Sequence, residues 1–222
     1  MILDIKQTQA NFDMEYLVTK PDGERFADCY SPFEKGRFAV DIDYGDAEPH
    51  QKMIYNPSDT TYGSRLRDRL SFKIFDDADE LVGSIIGDTQ KTGFLKAIAY
   101  YNINIGGRSY RGYEVGLGED GLYLCIYDDN DTMIATVKKK MNTVNYKDAY
   151  TAYIANGDST EEYVKAVLPF ILYYDITVFA DVMERSVATA RQTFTNTAQR
   201  EVREKFDPEF IARVKREDGV RE

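Results

Sequence analysis

The side chains able to do chemistry in this chain are few in kind and loosely grouped. There is one histidine, His50, so a His-rich metal set cannot be built, and no Ser-His-Asp or Cys-His arrangement is legible. A single imidazole also limits acid–base chemistry severely. Cys29 and Cys125 lie far apart in strand-like surroundings. They read as small buried apolar residues in a reducing compartment. The basic triplet Lys138, Lys139, Lys140 stands out, and in a strand Lys138 and Lys140 share one face. With Arg108 and Arg111 it forms the candidate contact for an anion or a lipid headgroup. The plainer alternative is a solvated strand end whose charges discourage edge pairing.

Three further patterns read as structural. Acidic turns at 76–80 and 128–131 offer hard oxygen ligands, but neither has the glycine and closing glutamate of an EF-hand loop. Asp and Asn in hairpin turns are ordinary turn chemistry. Residues 116–121 fit GxGxxG, yet they join two expected strands and open no helix, so the phosphate-cradling geometry is missing. Asp175 is a carboxylate inside an apolar run; buried, it needs an Arg, a Lys or a Tyr hydroxyl beside it. No catalytic residue, metal ligand or cofactor is expected, and the chain does not read as an enzyme.

The elements that must position these residues follow from composition and pattern. The chain has 222 residues, 43% hydrophobic and 30% charged, with 28 Lys and Arg against 38 Asp and Glu. That is one domain with a real core, perhaps with an appendage. The net charge of −10 disfavours nucleic acid and anionic membranes as partners. The N-terminus lacks a basic region followed by an apolar one, so no signal peptide is read and a cytoplasmic protein is expected.

Residues 1 to about 156 read as all-β, rich in Tyr and Phe (17 and 12). Strand-like runs recur with turn signals between them, including Pro21-Asp22-Gly23 and Gly106-Gly107. Residues 56–68 are the most loop-like interior stretch. Residues 72–85 align without gaps with 124–137, each a strand, an acidic turn and a returning strand. A fainter third copy spans 16–27. Repeated hairpins suggest a meander that must close on itself, because open edges are a liability.

The pattern then changes. Ser159 and Glu162 look like a capping box, followed by a run to Met183 that is apolar almost all round the helical wheel. Pro169 predicts a kink or a restart. Asp175 and Asp181 argue against a membrane span and for a buried core helix. Such a helix has a natural home: a wide closed sheet leaves an interior its own side chains cannot fill. The fold class expected is therefore mainly β, a closed antiparallel barrel of about twelve strands around a central hydrophobic C-terminal helix (158–183), all within residues 1–183. Residues 184–222 hold nine basic and eight acidic residues. Val187, Phe194, Ala198 and Val202 recur at helical spacing, Asp207-Pro208 marks a break, and Phe210, Ile211 and Val214 could form a last amphipathic turn. This segment is expected to be a surface helix or docking tail.

The hairpin 71–86, the stretch 110–116, the hairpin 122–138 and the segment 146–153, with the helix last, resemble the tubby C-terminal-like superfamily. That group includes LURP-one-related and phospholipid-scramblase-like proteins, and the chain looks most like its small bacterial kind. The resemblance implies a twelve-stranded barrel around a central helix. It also implies phosphoinositide binding through basic side chains on the barrel, although no basic pocket maps residue by residue onto this chain.

The function expected is thus a non-enzymatic cytoplasmic binding or scaffold module, with the 184–222 tail mediating self-association or docking of a protein partner. The alternative is a binder of membrane lipid or a small anionic ligand, working through Lys138, Lys139, Lys140, Arg108 and Arg111.

Overall fold

The computed structural model describes residues 1–10, 13–32, 38–45, 50–59, 70–91, 97–145, 147–179 and 189–220. Most of the loop read at 56–68 lies outside these residues, as do Phe12, Tyr146, Asp181 and Val187.

Twelve strands form one closed antiparallel barrel. They are β1 (Ile2–Ala10), β2 (Met14–Thr19), β3 (Arg25–Ser31), β4 (Ala39–Asp43), β5 (Gln51–Tyr55), β6 (Ser71–Phe75), β7 (Leu81–Lys91), β8 (Ala97–Ile105), β9 (Arg108–Gly116), β10 (Leu122–Asp128), β11 (Met133–Lys139) and β13 (Ala149–Ile154). Each pairs with its predecessor in the barrel, and β1 closes the wall against β13 with Ile5 opposite Tyr150. Closure removes the edges that a meander would otherwise expose. A separate two-stranded ladder joins β12 (Asn142–Val144) to β14 (Thr189–Arg191).

The internal repeat is real in three dimensions. In the β6–β7 turn, Asp79 lies at φ 57° and Asp76 Oδ1 accepts from the amides of Ala78 and Glu80. In the β10–β11 turn, Asp131 lies at φ 57° and Asp128 Oδ1 accepts from the amides of Asn130 and Thr132. Pairing slips by one residue at the equivalent place, after Ile74 and after Ile126. The faint third copy obeys the same geometry: Gly23 takes the left-handed position at φ 88°, and the slip follows Val18. A turn closed by a left-handed residue twists its strands in the sense a barrel needs.

The helix α1 (Thr160–Phe179) fills the barrel. Val164, Val167, Leu168, Phe170, Ile171, Leu172, Tyr173 and Tyr174 are all at most 3% exposed and belong to one core with inward residues of the wall, such as Ile5, Val18, Ile42, Ile74, Ile103 and Val137. Burying each large apolar side chain contributes about 1.5–3 kcal/mol, so a helix with no polar face is stable only when surrounded. The helix is continuous through Pro169, so the restart is not seen. The helix starts where the Ser159–Glu162 pattern places it, directly after Ser159; Glu162 pairs with Arg108 at 2.9 Å, and the Thr160 hydroxyl meets the Gly157 backbone. No described helix is long and apolar enough to cross a membrane.

The tail differs from the expected helix. After β14 it runs extended to Gln199, then forms the short α2 (Arg200–Arg203) and α3 (Pro208–Glu217). The physical reason is threonine. Thr193, Thr195 and Thr197 are β-branched, and Thr197 uses both its amide and its hydroxyl on the Gly116 backbone. Phe194 packs against the barrel core, whereas Val202 joins a second cluster on the outer wall. That cluster contains Tyr113, Val115, Tyr123, Cys125 and Tyr127, with Phe206 and Ile211 against it. This explains why β10 is apolar on both faces: Leu122, Leu124 and Ile126 face α1, while Tyr123, Cys125 and Tyr127 face the tail. The break at Asp207-Pro208 starts α3, with Asp207 Oδ1 accepting from Glu209 N at 2.9 Å. Phe210 and Val214 are buried with Ile2.

Candidate functional site

The buried charged residues among those described, Lys139, Asp148 and Asp175, converge at one place. On β11, alternation puts Ala135, Val137 and Lys139 on the inward face, so the middle lysine of the triplet enters the core and is 2% exposed. Lys139 lies opposite Tyr150 of β13. Asp148, two residues earlier, shares the inward side with Tyr150. Tyr16 comes from β2, and Asp175 comes from α1, where it is 3% exposed.

The contacts form a chain. Lys139 Nζ pairs with Asp148 Oδ1. It also donates to Tyr150 OH at 3.2 Å and lies 4.6 Å from the centre of that ring. Tyr150 OH donates to Asp175 Oδ1, and Tyr16 OH donates to Asp175 Oδ2 at 2.6 Å. The backbone of Asp148 is held by Gln7: the Asp148 amide donates to Gln7 Oε1, and the Gln7 amide donates to Asp148 O, both at 3.0 Å. Five side chains, four from the strands β2, β11 and β13 or the residue leading into β13 and one from the helix, therefore lock the rod in one rotation. A buried carboxylate met by two phenols is the arrangement its desolvation requires.

Burial pushes the Asp175 carboxyl above the usual carboxylate range; Lys139 draws it back down, the Asp148 charge raises it, and the two phenols lower it. Burial raises the Tyr16 and Tyr150 phenols too, with the Asp175 charge next, so both stay protonated donors. The set can hold and pass protons in a place shut off from bulk water.

The remaining basic candidates do not gather. Lys138 points outward and lies 5.6 Å from the Tyr123 ring. Lys140 is 3.5 Å from Asp4. Arg108 is held by Glu162, and Arg111 lies 5.9 Å from the Tyr100 ring. Across the ladder Lys138 aligns with Tyr123 and then Val115. Val115 is four residues along β9 from Arg111, or about 13 Å at the rise of a strand. The structure thus separates the arginines from the lysines and splits the triplet between the two sides of the wall.

His50 Nε2 lies 3.5 Å from Asp41 at the surface. Cys29 and Cys125 are buried free thiols that burial raises, which suits inert core residues. In the acidic turns Asp76 and Asp128 spend a carboxylate oxygen on backbone amides and Asp131 pairs with Lys205, and no group of three or more acidic, His or Cys residues is placed to hold a metal among the described residues. Gly118–Asp120 is a short 3-10 turn between β9 and β10, so the GxGxxG match opens no helix.

Sequence reading singles out Asp175 and names an Arg, a Lys or a Tyr hydroxyl as partner types, of which Tyr is the one that meets it. It misses Tyr16, Tyr150 and Asp148, and it misses that Lys139 is the inward lysine. The signal was available: Lys139 shares the parity of the apolar Ala135 and Val137. Which tyrosines would meet Asp175 needs the barrel register, which no local pattern carries. No family model, no curated protein and no solved structure matches this chain.

Proposed function

We propose that this chain is a non-catalytic binding or scaffold module of the tubby C-terminal-like type, which meets a protein partner or a second copy through its C-terminal tail. A closed barrel around a C-terminal helix is the arrangement the resemblance calls for. The interior is occupied by the chain's own helix, so recognition falls to the outside.

The observation that carries the reading is the docked tail. One side of α3 is spent on the barrel through Phe210 and Val214, and the other presents Glu209, Arg213, Arg216 and Glu217 to solvent. Arg203 of α2 is exposed as well. A charged ridge docked through buried Phe210 and Val214 loses less freedom on binding than a free tail would, which favours specific protein contacts. The anionic-lipid alternative has less support, because its five basic residues are dispersed or paired.

Light scattering of the full chain over a concentration series, beside Arg203→Glu/Arg213→Glu/Arg216→Glu, tests this. A mass above the monomer that the charge reversals abolish supports it. A strict monomer that also captures no protein in a reversal-sensitive manner counts against it.

A further inference from the structure

We propose that Lys139 and Asp148 condense with each other to form an intramolecular amide cross-link inside the barrel, with Asp175 exchanging the protons through Tyr150. The proposal stands on the placement of three groups. Lys139 ends β11 and Asp148 immediately precedes β13, as diagonal neighbours on the inward face of adjacent strands. Their side chains are in contact and only 1% and 7% exposed. The third group, Asp175, faces them from the helix, with Tyr150 OH touching both Lys139 Nζ and Asp175 Oδ1.

The chemistry follows from burial. One proton passed from Lys139 Nζ to the Asp148 carboxylate, with which it is in contact, leaves an amine lone pair beside a carboxylic acid. Those are a nucleophile and its electrophile, already touching. Well-oriented groups reach effective molarities of roughly 10⁵–10⁸ M, which accelerates a condensation that is negligibly slow in solution. Asp175 accepts from both phenols, so its carboxylate is placed to take a proton through Tyr150, and burial favours its holding that proton until it is returned.

The step balances without a cofactor. The Lys139 Nζ lone pair adds to Asp148 Cγ and a C–N bond forms. One Nζ proton leaves through the Tyr150 hydroxyl to Asp175. A proton from the same relay goes to the departing hydroxyl of Asp148, the C–O bond breaks, and water leaves. Asp175 and Tyr150 end as they began. The product amide ties β11 to β13 next to the seam where β1 closes the barrel, and it replaces two buried charges with a neutral group.

The test is the intact mass of the full-length protein, followed by proteolytic mapping under denaturing conditions. The expected mass is that of the sequence less one water. The digest should yield a branched peptide joining the segments around Lys139 and Asp148, lost in Lys139→Arg and in Asp148→Ala. Wild-type protein at its full sequence mass overturns the proposal. So does a missing water mapped to unbranched peptides, as a cyclic imide at Asp22-Gly23 or Asp218-Gly219 would give. Asp175→Asn should accumulate protein of full mass that cross-links slowly; wild-type extent and rate in that variant overturn the role given to Asp175.

Discussion

Gly112 on β9 leaves the space that the Phe170 ring of α1 occupies: a Cβ at position 112 would lie 2.6 Å from Phe170 Cζ. The wall and the rod touch there with no room for a methyl group. Gly112→Ala should therefore destabilise the protein by about 1–3 kcal/mol, the usual cost of overpacking. Adding Phe170→Leu should recover part of the loss. Urea unfolding of the single and double variants measures both.

The three equivalent hairpins make a prediction about one backbone position. Asp79 and Asp131 take the left-handed conformation that glycine takes at Gly23. Asp79→Gly should be nearly neutral, because the third copy already uses glycine there. Asp79→Val should cost about 1–2 kcal/mol, since a β-branched side chain resists positive φ. Thermal unfolding of the pair reads the difference.

Among the side chains that anchor the tail, Phe210 is fully buried. Phe210→Ala should cost about 3–5 kcal/mol if the tail unfolds together with the barrel. If the tail opens on its own, the loss appears as faster amide exchange in 200–218 while exchange in the barrel strands is unchanged. Hydrogen exchange separates these outcomes.

Asp175 predicts a pH dependence with a definite sign. Its carboxyl holds its proton more tightly in the folded protein than the ordinary value of 3.8. The stability this provides is fully present below that value and is lost as pH rises through the higher folded value. Relative to Asp175→Asn, which does not titrate there, wild-type protein should lose stability as pH rises from about 4 toward neutral. Denaturant unfolding of both proteins across that range checks it; a constant difference would contradict the upward shift.

Much of the fold was legible because local and global signals agreed. The acidic turns, the Gly106-Gly107 hairpin and the all-round apolar helix each pointed to a closed sheet with something inside. The tail was less legible. Phe194 and Val202 share helical spacing, yet they enter different clusters, because threonines keep that stretch extended. The continuous apolar run of β10 carried the missing information, since a strand covered on both faces needs a second layer. The polar cluster was half legible: Asp175 announced a need, but the register that brings Tyr16, Tyr150 and Lys139 to it is a property of the whole barrel.

Native-state hydrogen exchange of α1 tests most directly whether the wall encloses the rod. Amides of residues 164–176 should exchange only through global unfolding, with protection equal to the full unfolding free energy. Exchange of those amides within minutes under native conditions, while the strands stay protected, would contradict an enclosed helix.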